Sequence, residues 1–354
     1  MNCSWHPPNP NRSRQLSRRL RIALLVSSAW LLGGAAAWAQ SLKIATLVPE
    51  GSMWDKAIRR MGSEWKDSTG GRVSLVLYPN GVAGDEAETF KKMRIGQLHG
   101  AFASASGLGA IDSAFNLFGI PMFLRSDEEL QRILTELGPL FERRLRERGY
   151  VLLHWGHAGW LRVFSTAPVQ RYEDFERLKF FVWGQGNKLS DWFEARGFRS
   201  VILPVTEVAT GLQTGLVESL PVTPLAALSF QWFRSAPYMF DYRFAPLVGA
   251  TVLTEKAWAR VAEEDRAKLL EAGGRAGETL FRDVPGQEEG ALAEMQKRGL
   301  TLTRSTSDDD LKKWEELAAY LEECYRKDSV PEEVFAEVAR VLREFRAGDP
   351  GGGR

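Results

Sequence analysis

Two histidines are the first candidates for chemistry in this sequence. His154 and His157 stand three residues apart, which would place both side chains on one side of a helix. The apolar residues before them and Gly156 between them instead favour a strand and a turn. A zinc site needs at least three protein ligands, and no third ligand follows at a matching spacing. We therefore expect two ordinary, half-buried histidines and no metal.

Three further groups of residues invite a catalytic or cation-binding interpretation, and each fails on its context. Asp85-Glu86 stands at a helix start, where acids commonly cap the helix and favour its dipole. Asp308-Asp309-Asp310 lacks the glycine turn and the following glutamate of a calcium loop. Gly184-Gln185-Gly186 lacks the third glycine of a dinucleotide site. Since no nucleophile elbow, phosphate loop or HExxH motif is present either, we predict no catalytic residue, no cofactor and no enzyme.

The charge balance argues against nucleic-acid binding. The sequence has 46 basic and 45 acidic residues, a net charge of +1. Five of the arginines lie before residue 40 with no acid among them, so the remainder has 41 basic against 45 acidic residues, or −4. Phosphate binding needs clustered Lys and Arg, which a mildly acidic chain does not favour. Cys3 lies in the same leading segment, which leaves Cys324 without a disulfide partner in the rest of the chain.

The first 39 residues have the pattern of a secretory signal peptide. Arginines between Arg12 and Arg21 precede an apolar run at 22–32, and Ala37-Trp38-Ala39 forms a cleavage site before Gln40. The apolar run is shorter than the roughly 20 residues of a spanning helix, although an uncleaved anchor stays open. Ser17-Arg18-Arg19 leaves the twin-arginine export route open beside the general one. We predict a periplasmic protein cleaved after about Ala39, with 354 − 39 = 315 residues remaining, enough for two lobes.

Alternating strand and helix patterns predict an α/β fold. Strand patterns at 42–47, 73–78 and 98–103 are separated by helical patterns that begin near Trp54 and Asp85. Such alternation favours a mostly parallel sheet covered by helices. From Ala257 to Phe345 long helical patterns dominate. Further strands are predicted at 151–155, 178–183, 201–203 and 247–253.

Several segments, taken in order, resemble one known family. They are Lys43-Ile44-Ala45 with Gly51-Ser52-x-Trp54; Thr69-Gly70-Gly71-Arg72-Val73 with Tyr78-Pro79-Asn80-Gly81 and Gly84-Asp85-Glu86; and Ile120-Pro121-Met122-Phe123-Leu124. Glu173 to Lys179 and Leu203 to Gly215 continue the series, which covers about residues 42 to 300. Together these segments resemble the periplasmic solute receptors of tripartite ATP-independent periplasmic (TRAP) transporters, the DctP-like family.

The resemblance implies a two-lobed periplasmic-binding-protein fold, with crossing strands, a bracing long helix and a cleft that closes around one small solute. It implies 40–158 plus about 247–286 for lobe I, 159–246 plus about 287–346 for lobe II and the C-terminal helices, and 347–354 for a disordered tail. The implied partners are a small-molecule solute and the small and large TRAP membrane subunits, with no nucleic acid. The C-terminal helices leave open an accessory periplasmic protein or a homodimer, but an intramolecular brace is their simpler use.

The sequence departs from this family where a carboxylate would bind. Members that bind carboxylates generally place two arginines in the cleft, because a guanidinium pairs bidentately with a carboxylate. Here the two positions are Leu161 and Phe181, and the polar segment that often contacts ligand reads Leu220-Pro221-Val222-Thr223. Arg162 is one residue away, and in a strand that offset points it to the other face. We therefore predict a largely apolar cleft and a hydrophobic or amphipathic solute.

The candidate ligand-binding residues follow from this hypothesis. For each aromatic the alternative is core packing, and for each amide it is a bond to local backbone groups. If the alignment with the family is displaced by one residue, Arg162 or Arg199 occupies the position of a carboxylate-binding arginine, and the solute is then a carboxylate. A periplasmic ligand sensor stays open, and an exported enzyme has the least support. The candidates are Trp54, Trp160, Leu161, Phe181, Trp183 and Trp232 as apolar lining, and Gln185, Asn187 and Gln213 as polar contacts.

Overall fold

The computed structural model describes residues 1, 2, 4, 39–183, 188–305 and 307–348. Most of the predicted signal peptide lies outside the described residues, as do 349–354 of the predicted tail. Gln40 begins a compact unit that contains all of the elements below. None of the helices in this described part combines the length and apolar character needed to cross a membrane.

Strands and helices alternate along the first half, and helices dominate the last third. The strands are β1 (Gln40–Thr46), β2 (Val73–Tyr78), β3 (Gly100–Ser104), β4 (Tyr150–Trp160), β5 (Arg162–Ser165), β6 (Lys179–Trp183), β7 (Arg199–Leu203), β8 (Ser219–Val222), β9 (Tyr238–Phe240), β10 (Pro246–Thr254) and β11 (Thr301–Thr303). The helices are α1 (Met53–Ser68), α2 (Glu86–Arg94), α3 (Ala105–Gly109), α4 (Asp127–Glu147), α5 (Tyr172–Glu176), α6 (Leu189–Glu194), α7 (Val208–Thr214), α8 (Pro224–Ser229), α9 (Glu255–Trp258), α10 (Glu263–Lys297), α11 (Asp308–Asp328) and α12 (Glu332–Gly348). Short 3-10 helices lie at Ser113–Gly119, Val205–Glu207 and Trp232–Arg234.

Helix α1 shows why these segments adopt their structure. Its apolar residues recur at helical spacing, so Trp54, Ile58, Met61 and Trp65 all face inward and are buried, as the sequence predicts. The Ser52 side chain accepts a hydrogen bond from the backbone N–H of Asp55 and caps the first turn. The helix therefore covers one face of the strands that flank it in sequence.

The strands form two mixed sheets. The five-stranded sheet has the order β2-β1-β3-β10-β4, with β1 parallel to both neighbours and β10 antiparallel to both of its own. The six-stranded sheet has the order β11-β9-β5-β8-β6-β7. The predicted α/β class is confirmed, but antiparallel pairing of β10 and of β5 makes the sheets less parallel than the alternation suggested.

Two chain crossings and one long helix connect the sheets. The chain leaves the five-stranded sheet after Trp160 and enters the other at Arg162. At this crossing the Leu161 N–H donates to the Ala245 carbonyl at 2.8 Å, and the Phe244 N–H donates to the Leu161 carbonyl at 3.0 Å. Helix α10 braces both regions, because its early buried residues pack on the five-stranded sheet and its late ones on the six-stranded sheet.

The C-terminal helices also pass from one region to the other. Helix α11 packs on the six-stranded sheet, where Trp314 stacks on Phe240. Helix α12 instead packs on α4, and its Phe335 stacks on Phe123 in the segment that precedes α4. The Arg346 Nε donates to Glu129 Oε1 at 2.7 Å, which anchors the end of α12 to the same helix.

Helix α10 approaches strand β4 closely through glycine. A Cβ added at Gly273 would lie 2.6 Å from the Leu153 carbonyl oxygen, and one at Gly277 would lie 2.8 Å from the Trp155 carbonyl oxygen. Both obstructions are backbone atoms of a paired strand, which cannot rotate aside as a side chain can. The helix therefore sits at this distance only because these positions carry no side chain.

Two neighbouring glycines of α10 give a matched test of this packing. Gly273→Ala should lower the free energy of unfolding by about 2 kcal/mol, since the helix must move off the strand. Gly274→Ala, where a Cβ meets nothing within 4 Å, should raise it by about 0.5–1 kcal/mol through helix propensity. Urea unfolding of the two variants measures both changes. Changes of the same sign would contradict the close approach.

Candidate functional site

A cavity of about 570 Å³ lies where both sheets and helix α11 meet. Among its described lining residues there is no arginine, and Lys188 is the one cation. Leu161 and Trp183 also lie on its wall. Most of the other side chains there are apolar; they are Leu47, Ala87, Ala105, Ala110, Phe118, Pro121, Met122, Val163, Phe175, Phe180, Leu189, Trp192, Phe193, Leu203, Pro204, Val205, Pro221, Phe244, Ala245, Pro246, Leu247, Val248, Trp314, Leu317, Leu321 and Tyr325.

The polar part of the wall comes from helix starts near the five-stranded sheet. Asp85 caps α2 by accepting a hydrogen bond from the Glu88 N–H at 2.8 Å, which confirms its predicted capping role. Ser104 caps α3 by accepting from the Gly107 N–H at 3.1 Å. Asn116 donates to the Ser329 hydroxyl at 2.9 Å and ties this wall to the end of α11. The wall is therefore built from short side chains held by two helix-cap hydrogen bonds and by one long-range bond to the end of α11.

Glu86 is the buried carboxyl of this polar wall. Its Oε1 accepts from the Ser104 N–H at 2.6 Å, and its Oε2 accepts from the Ser104 hydroxyl at 2.7 Å. Protein atoms surround the carboxyl, and burial raises its pKa from 4.5 to about 7, although the Ser104 bonds oppose the shift. The residue keeps a partial exposure because it borders the cavity. Glu86 is therefore an acceptor, or when protonated a donor, inside a mostly apolar space.

The opposite wall is formed by one face of the six-stranded sheet and by helix α11. Val163 and Phe180 belong to the same buried cluster as Trp314 and Leu317, so this sheet face and this helix face each other. Trp192 packs edge-on against Tyr325 with ring centroids 4.9 Å apart. The wall carries large aromatic and aliphatic side chains, in contrast to the short polar ones opposite.

Two of the predicted ligand-binding residues lie on the cavity. Leu161 is half-buried at the crossing between β4 and β5. Trp183 ends strand β6, and its indole N–H donates to the Pro221 carbonyl at 3.0 Å, which fixes the ring at the cavity edge. The end of β6 and the crossing between β4 and β5 therefore border the same cavity.

Four other predicted aromatics do not line the cavity and are buried in the core instead. The Trp54 indole N–H donates to the His157 carbonyl at 3.2 Å, and that of Trp160 donates to Asp127 Oδ1 at 2.9 Å. Trp232 stacks on Phe230 with centroids 4.5 Å apart. Phe181, the fourth, is fully buried. Each of these rings is held by core contacts and does not reach the cavity in this structure.

Strand alternation explains the position of Phe181. Successive residues of a strand point to opposite faces, and Phe180 lies on the face toward α11 while Phe181 packs with Phe164 and Leu220 on the other face. Phe180, which the sequence analysis did not name, is the member of the pair on the cavity wall. Phe181, which it named, lies on the opposite face.

The predicted polar contacts do not reach the cavity either where they are described. Gln213 is exposed on α7 and is absent from the cavity wall. Gln185 and Asn187 lie outside the described residues. Arg162 is buried, with its Nε 3.4 Å from Asp241 Oδ1, and Arg199 is exposed; neither lines the cavity.

The histidines of β4 occupy core positions. His154 Nε2 lies 2.8 Å from the Thr251 hydroxyl, and His157 Nδ1 lies 3.8 Å from Asp127 Oδ1. Burial lowers the pKa of each imidazole from 6.5 to about 4, so both are neutral at physiological pH. Within the described ranges no group of three or more His, Cys, Asp or Glu residues could hold a metal ion.

Comparisons with known proteins agree with this architecture. A family model described as bacterial extracellular solute-binding protein, family 7 (DctP) matches residues 44–328. The chain belongs to this family. A solute-binding protein of Chromohalobacter salexigens is 26% identical over 292 residues, which cover 80% of this chain and 86% of that relative. The C4-dicarboxylate-binding periplasmic protein of Rhodobacter capsulatus is 24% identical over 310 residues, covering 79% and 92%.

Solved structures share the two-lobed fold. An extracytoplasmic solute receptor of Bordetella pertussis that binds pyroglutamic acid has a TM-score of 0.79 at 17% identity, covering 85% of this chain and 100% of that one. A TRAP periplasmic solute-binding protein of Chromohalobacter salexigens with bound D-glucuronate has a TM-score of 0.77 at 21% identity, covering 85% and 98%. As a member of the family whose model it matches, the protein is a solute-binding receptor and not an enzyme, and a periplasmic location is typical of that family.

Proposed function

We propose that this receptor captures a hydrophobic or amphipathic solute between its lobes and delivers it to small and large TRAP membrane subunits. The composition of the cavity wall is the observation that carries the proposal. Its described residues include no arginine, and large apolar side chains predominate. A carboxylate in such a space would lack the paired guanidinium that offsets the cost of removing its charge from water.

The charges that do reach the cavity favour the same conclusion. Asp85, and Glu86 whenever its carboxyl is ionised, would repel an anion on the polar wall. The Nζ of Lys188 lies 4.0 Å from Asp328 Oδ1, so this cation already faces an acid at the cavity wall. Relatives with bound D-glucuronate, galacturonate or succinate take carboxylates, and this receptor is proposed to differ from them through residues such as Leu161.

We also propose the cellular route and the lobe division. Residues 1–39 would direct export to the periplasm with cleavage after about Ala39. Lobe I would comprise 40–158 and about 247–286, since these ranges supply most of the five-stranded sheet and its helices. Lobe II would comprise 159–246 and about 287–328. Because α12 packs on α4, we assign the last helix to lobe I and not to lobe II.

The solute itself can be identified by native mass spectrometry of the exported protein, followed by extraction. We expect an uncharged or amphipathic molecule of largely apolar composition to leave with the organic phase. A sugar acid or dicarboxylate, lost from the receptor when Lys188 is replaced by Met, would overturn the apolar-cleft proposal.

Two adjacent phenylalanines provide a matched binding test. The environment-sensitive, uncharged probe N-phenyl-1-naphthylamine reports occupancy of an apolar site by its fluorescence. Phe180→Ala should weaken its affinity by about tenfold, because this ring lines the cavity. Phe181→Ala removes an equally buried ring on the opposite face, so it should lower stability and leave the affinity unchanged. Equal effects on affinity would contradict the assignment.

A further inference from the structure

Buried charged side chains surround the point where the chain crosses between the sheets. Glu288 of the long helix α10 is 8% exposed, and Arg162, which begins β5, is 6% exposed. Asp241 lies in the second crossing, between β9 and β10, with its Oδ1 3.4 Å from the Arg162 Nε. Ionisable side chains are seldom buried to this extent, and none of these three lines the cavity. Their position on the crossings and on the bracing helix relates them to the placement of one lobe against the other.

Glu288 holds the backbone of the first crossing. Its Oε1 accepts a hydrogen bond from the Trp160 N–H at 3.1 Å. Gly159 has a φ of +92°, and a Cβ at this position would overlap the same carboxyl. The carboxyl therefore occupies the space that a side chain at residue 159 would need. Leu161, two residues further on, lies on the cavity wall, so this contact fixes the chain immediately before a residue of the site.

Trp160 is held from several neighbouring elements. The Nη1 of Arg162 donates to the Trp160 carbonyl at 3.3 Å, and the indole N–H donates to Asp127 Oδ1 of α4 at 2.9 Å. The guanidinium carbon of Arg243, in the second crossing, lies 5.6 Å from the centre of the indole ring. A movement of one sheet relative to the other must turn the chain at its crossings. Such a movement would therefore change the contact between Trp160 and Glu288.

Burial dominates the ionisation of Glu288. It raises the pKa of this carboxyl from 4.5 to about 7, although Arg162, the Trp160 N–H and Arg243 oppose the shift, while Asp127 adds to it. The buried position thus favours the neutral carboxyl, and access of water would return the pKa toward 4.5. An arrangement of the crossing that admits water to Glu288 is therefore favoured when the carboxyl ionises.

The other groups on the elements around this carboxyl can be followed separately. The His157 imidazole on β4 is neutral at pH values above 5, because burial lowers its pKa to about 4. Helix α8, which packs on α10, has no titratable side chain. Helix α1 meets α10 at an earlier turn, where the Arg275 Nε donates to Glu64 at 2.9 Å. On α10 itself the neighbouring Glu289 is exposed, which makes it a control for Glu288.

We propose that Glu288 is a positioning residue for solute binding: the arrangement of the crossing that places Leu161 on the cavity wall keeps this carboxyl out of water, so the neutral carboxyl stabilises it and ionisation loosens it. The stabilisation is present at low pH and is lost as the pH rises through about 7, the folded-state pKa. A solute that binds this arrangement in turn raises the proton affinity of Glu288, because the coupling between two binding events is reciprocal.

Hydrogen exchange measured by mass spectrometry tests the crossing without any ligand. Peptides that contain Trp160 and Leu161 are compared between the wild type and Glu288→Gln, which stays neutral, so that intrinsic exchange rates cancel at each pH. We expect equal exchange at about pH 5.5 and about tenfold faster exchange in the wild type at about pH 8. Glu289→Gln should match the wild type at both. Equal exchange in the wild type and Glu288→Gln at both pH values would overturn the proposal.

The affinity for N-phenyl-1-naphthylamine tests whether the crossing affects the site. This readout rests on the proposed function, and it is made in Glu86→Gln so that the carboxyl on the cavity wall does not titrate. We expect the dissociation constant to rise about tenfold between about pH 5.5 and about pH 8. Adding Glu288→Gln should remove this dependence. A dissociation constant that does not change with pH in Glu86→Gln would contradict the link between Glu288 and solute binding.

The two readouts distinguish this proposal from the proposed function. If the probe binds at neither pH while the exchange difference persists, the apolar-solute proposal fails and the role of Glu288 at the crossing stands. If the probe binds with the same affinity at both pH values and exchange does not differ, the role of Glu288 fails and the apolar cavity stands. If Glu288→Gln does not fold, the pH dependence of probe affinity in Glu86→Gln alone decides the proposal.

Discussion

Leu161→Arg is expected to weaken binding of N-phenyl-1-naphthylamine by about 100-fold, a loss of about 2.7 kcal/mol. The backbone at this position is fixed by hydrogen bonds of Leu161 with Ala245 and Phe244, so the new side chain must leave the crossing where leucine does. A guanidinium there opposes an apolar solute, because it places a charge beside the solute and fills part of its space.

Two control variants separate charge from position. Leu161→Met conserves volume and apolar character, so its dissociation constant should stay close to that of the wild type. Leu216→Arg introduces the same cation at a leucine that is 49% exposed and away from the cavity wall, and it should not change binding. Fluorescence titration gives the three constants, and circular dichroism confirms folding. An affinity that survives in Leu161→Arg would show that Leu161 is not part of the binding surface.

The alternation of helices and strands was predictable because it depends on local periodicity. The pattern at 73–78 matches β2, and that at 178–183 matches β6 to within one residue. The short strands β5 and β8 were not predicted. Each has only four residues and no polar-apolar alternation, so nothing local distinguishes it from a loop that happens to be apolar.

The cavity was less predictable than the fold, because a buried face and a cavity face have the same composition. The sequence predicts helical patterns in the C-terminal region and assigns them to an intramolecular brace, which is the ordinary use of such apolar helix faces. Whether the residues opposite fill the space or leave it open depends on the six-stranded sheet, more than a hundred residues earlier in the chain. The same ambiguity applies to Phe180 and Phe181. Strand alternation places their side chains on opposite sides of the sheet, but it does not say which side borders the cavity.

Glu86 shows how tertiary contacts change a residue's chemistry. Its position at the start of α2 predicts a solvated acid near the helix dipole. The burial that raises its pKa comes from β3 and α3, which bring Ser104 and Gly107 against the carboxyl from about twenty residues away. No local pattern in the sequence indicates that contact, so the raised pKa of Glu86 follows only from the tertiary structure.

Glu86→Gln is expected to stabilise the folded receptor relative to the wild type as the pH rises. Burial raises the folded-state pKa of Glu86 to about 7, above its ordinary 4.5. Between pH 4.5 and about 7 the folded state therefore keeps a proton that the unfolded state has lost. The stability that the neutral carboxyl contributes is lost as the pH rises toward 7. A shift of one pKa unit corresponds to about 1.4 kcal/mol, and contact with the cavity reduces the total to about 2–3 kcal/mol.

The difference between variant and wild type isolates this effect from other titrating groups. Burial also raises the pKa of Glu288 to about 7, whereas it lowers the pKa of His154 and His157 to about 4. The histidines lose stability as the pH falls from 6.5 toward 4, which opposes the two glutamates and flattens the wild-type profile. Because these groups are present in both proteins, they cancel in the difference between their free energies of unfolding.

Urea unfolding at about pH 5 and about pH 8 measures that difference. Glu86→Gln should be close to the wild type at the lower pH, where the carboxyl is neutral, and more stable by about 2 kcal/mol at the higher pH. Glu88→Gln, which removes a carboxylate of the same helix whose side chain is 44% exposed, should show a small difference at both. If the difference in free energy of unfolding between Glu86→Gln and the wild type stays constant with pH, this carboxyl is as well solvated in the folded protein as in the unfolded chain. It would then not face a dry, apolar cavity.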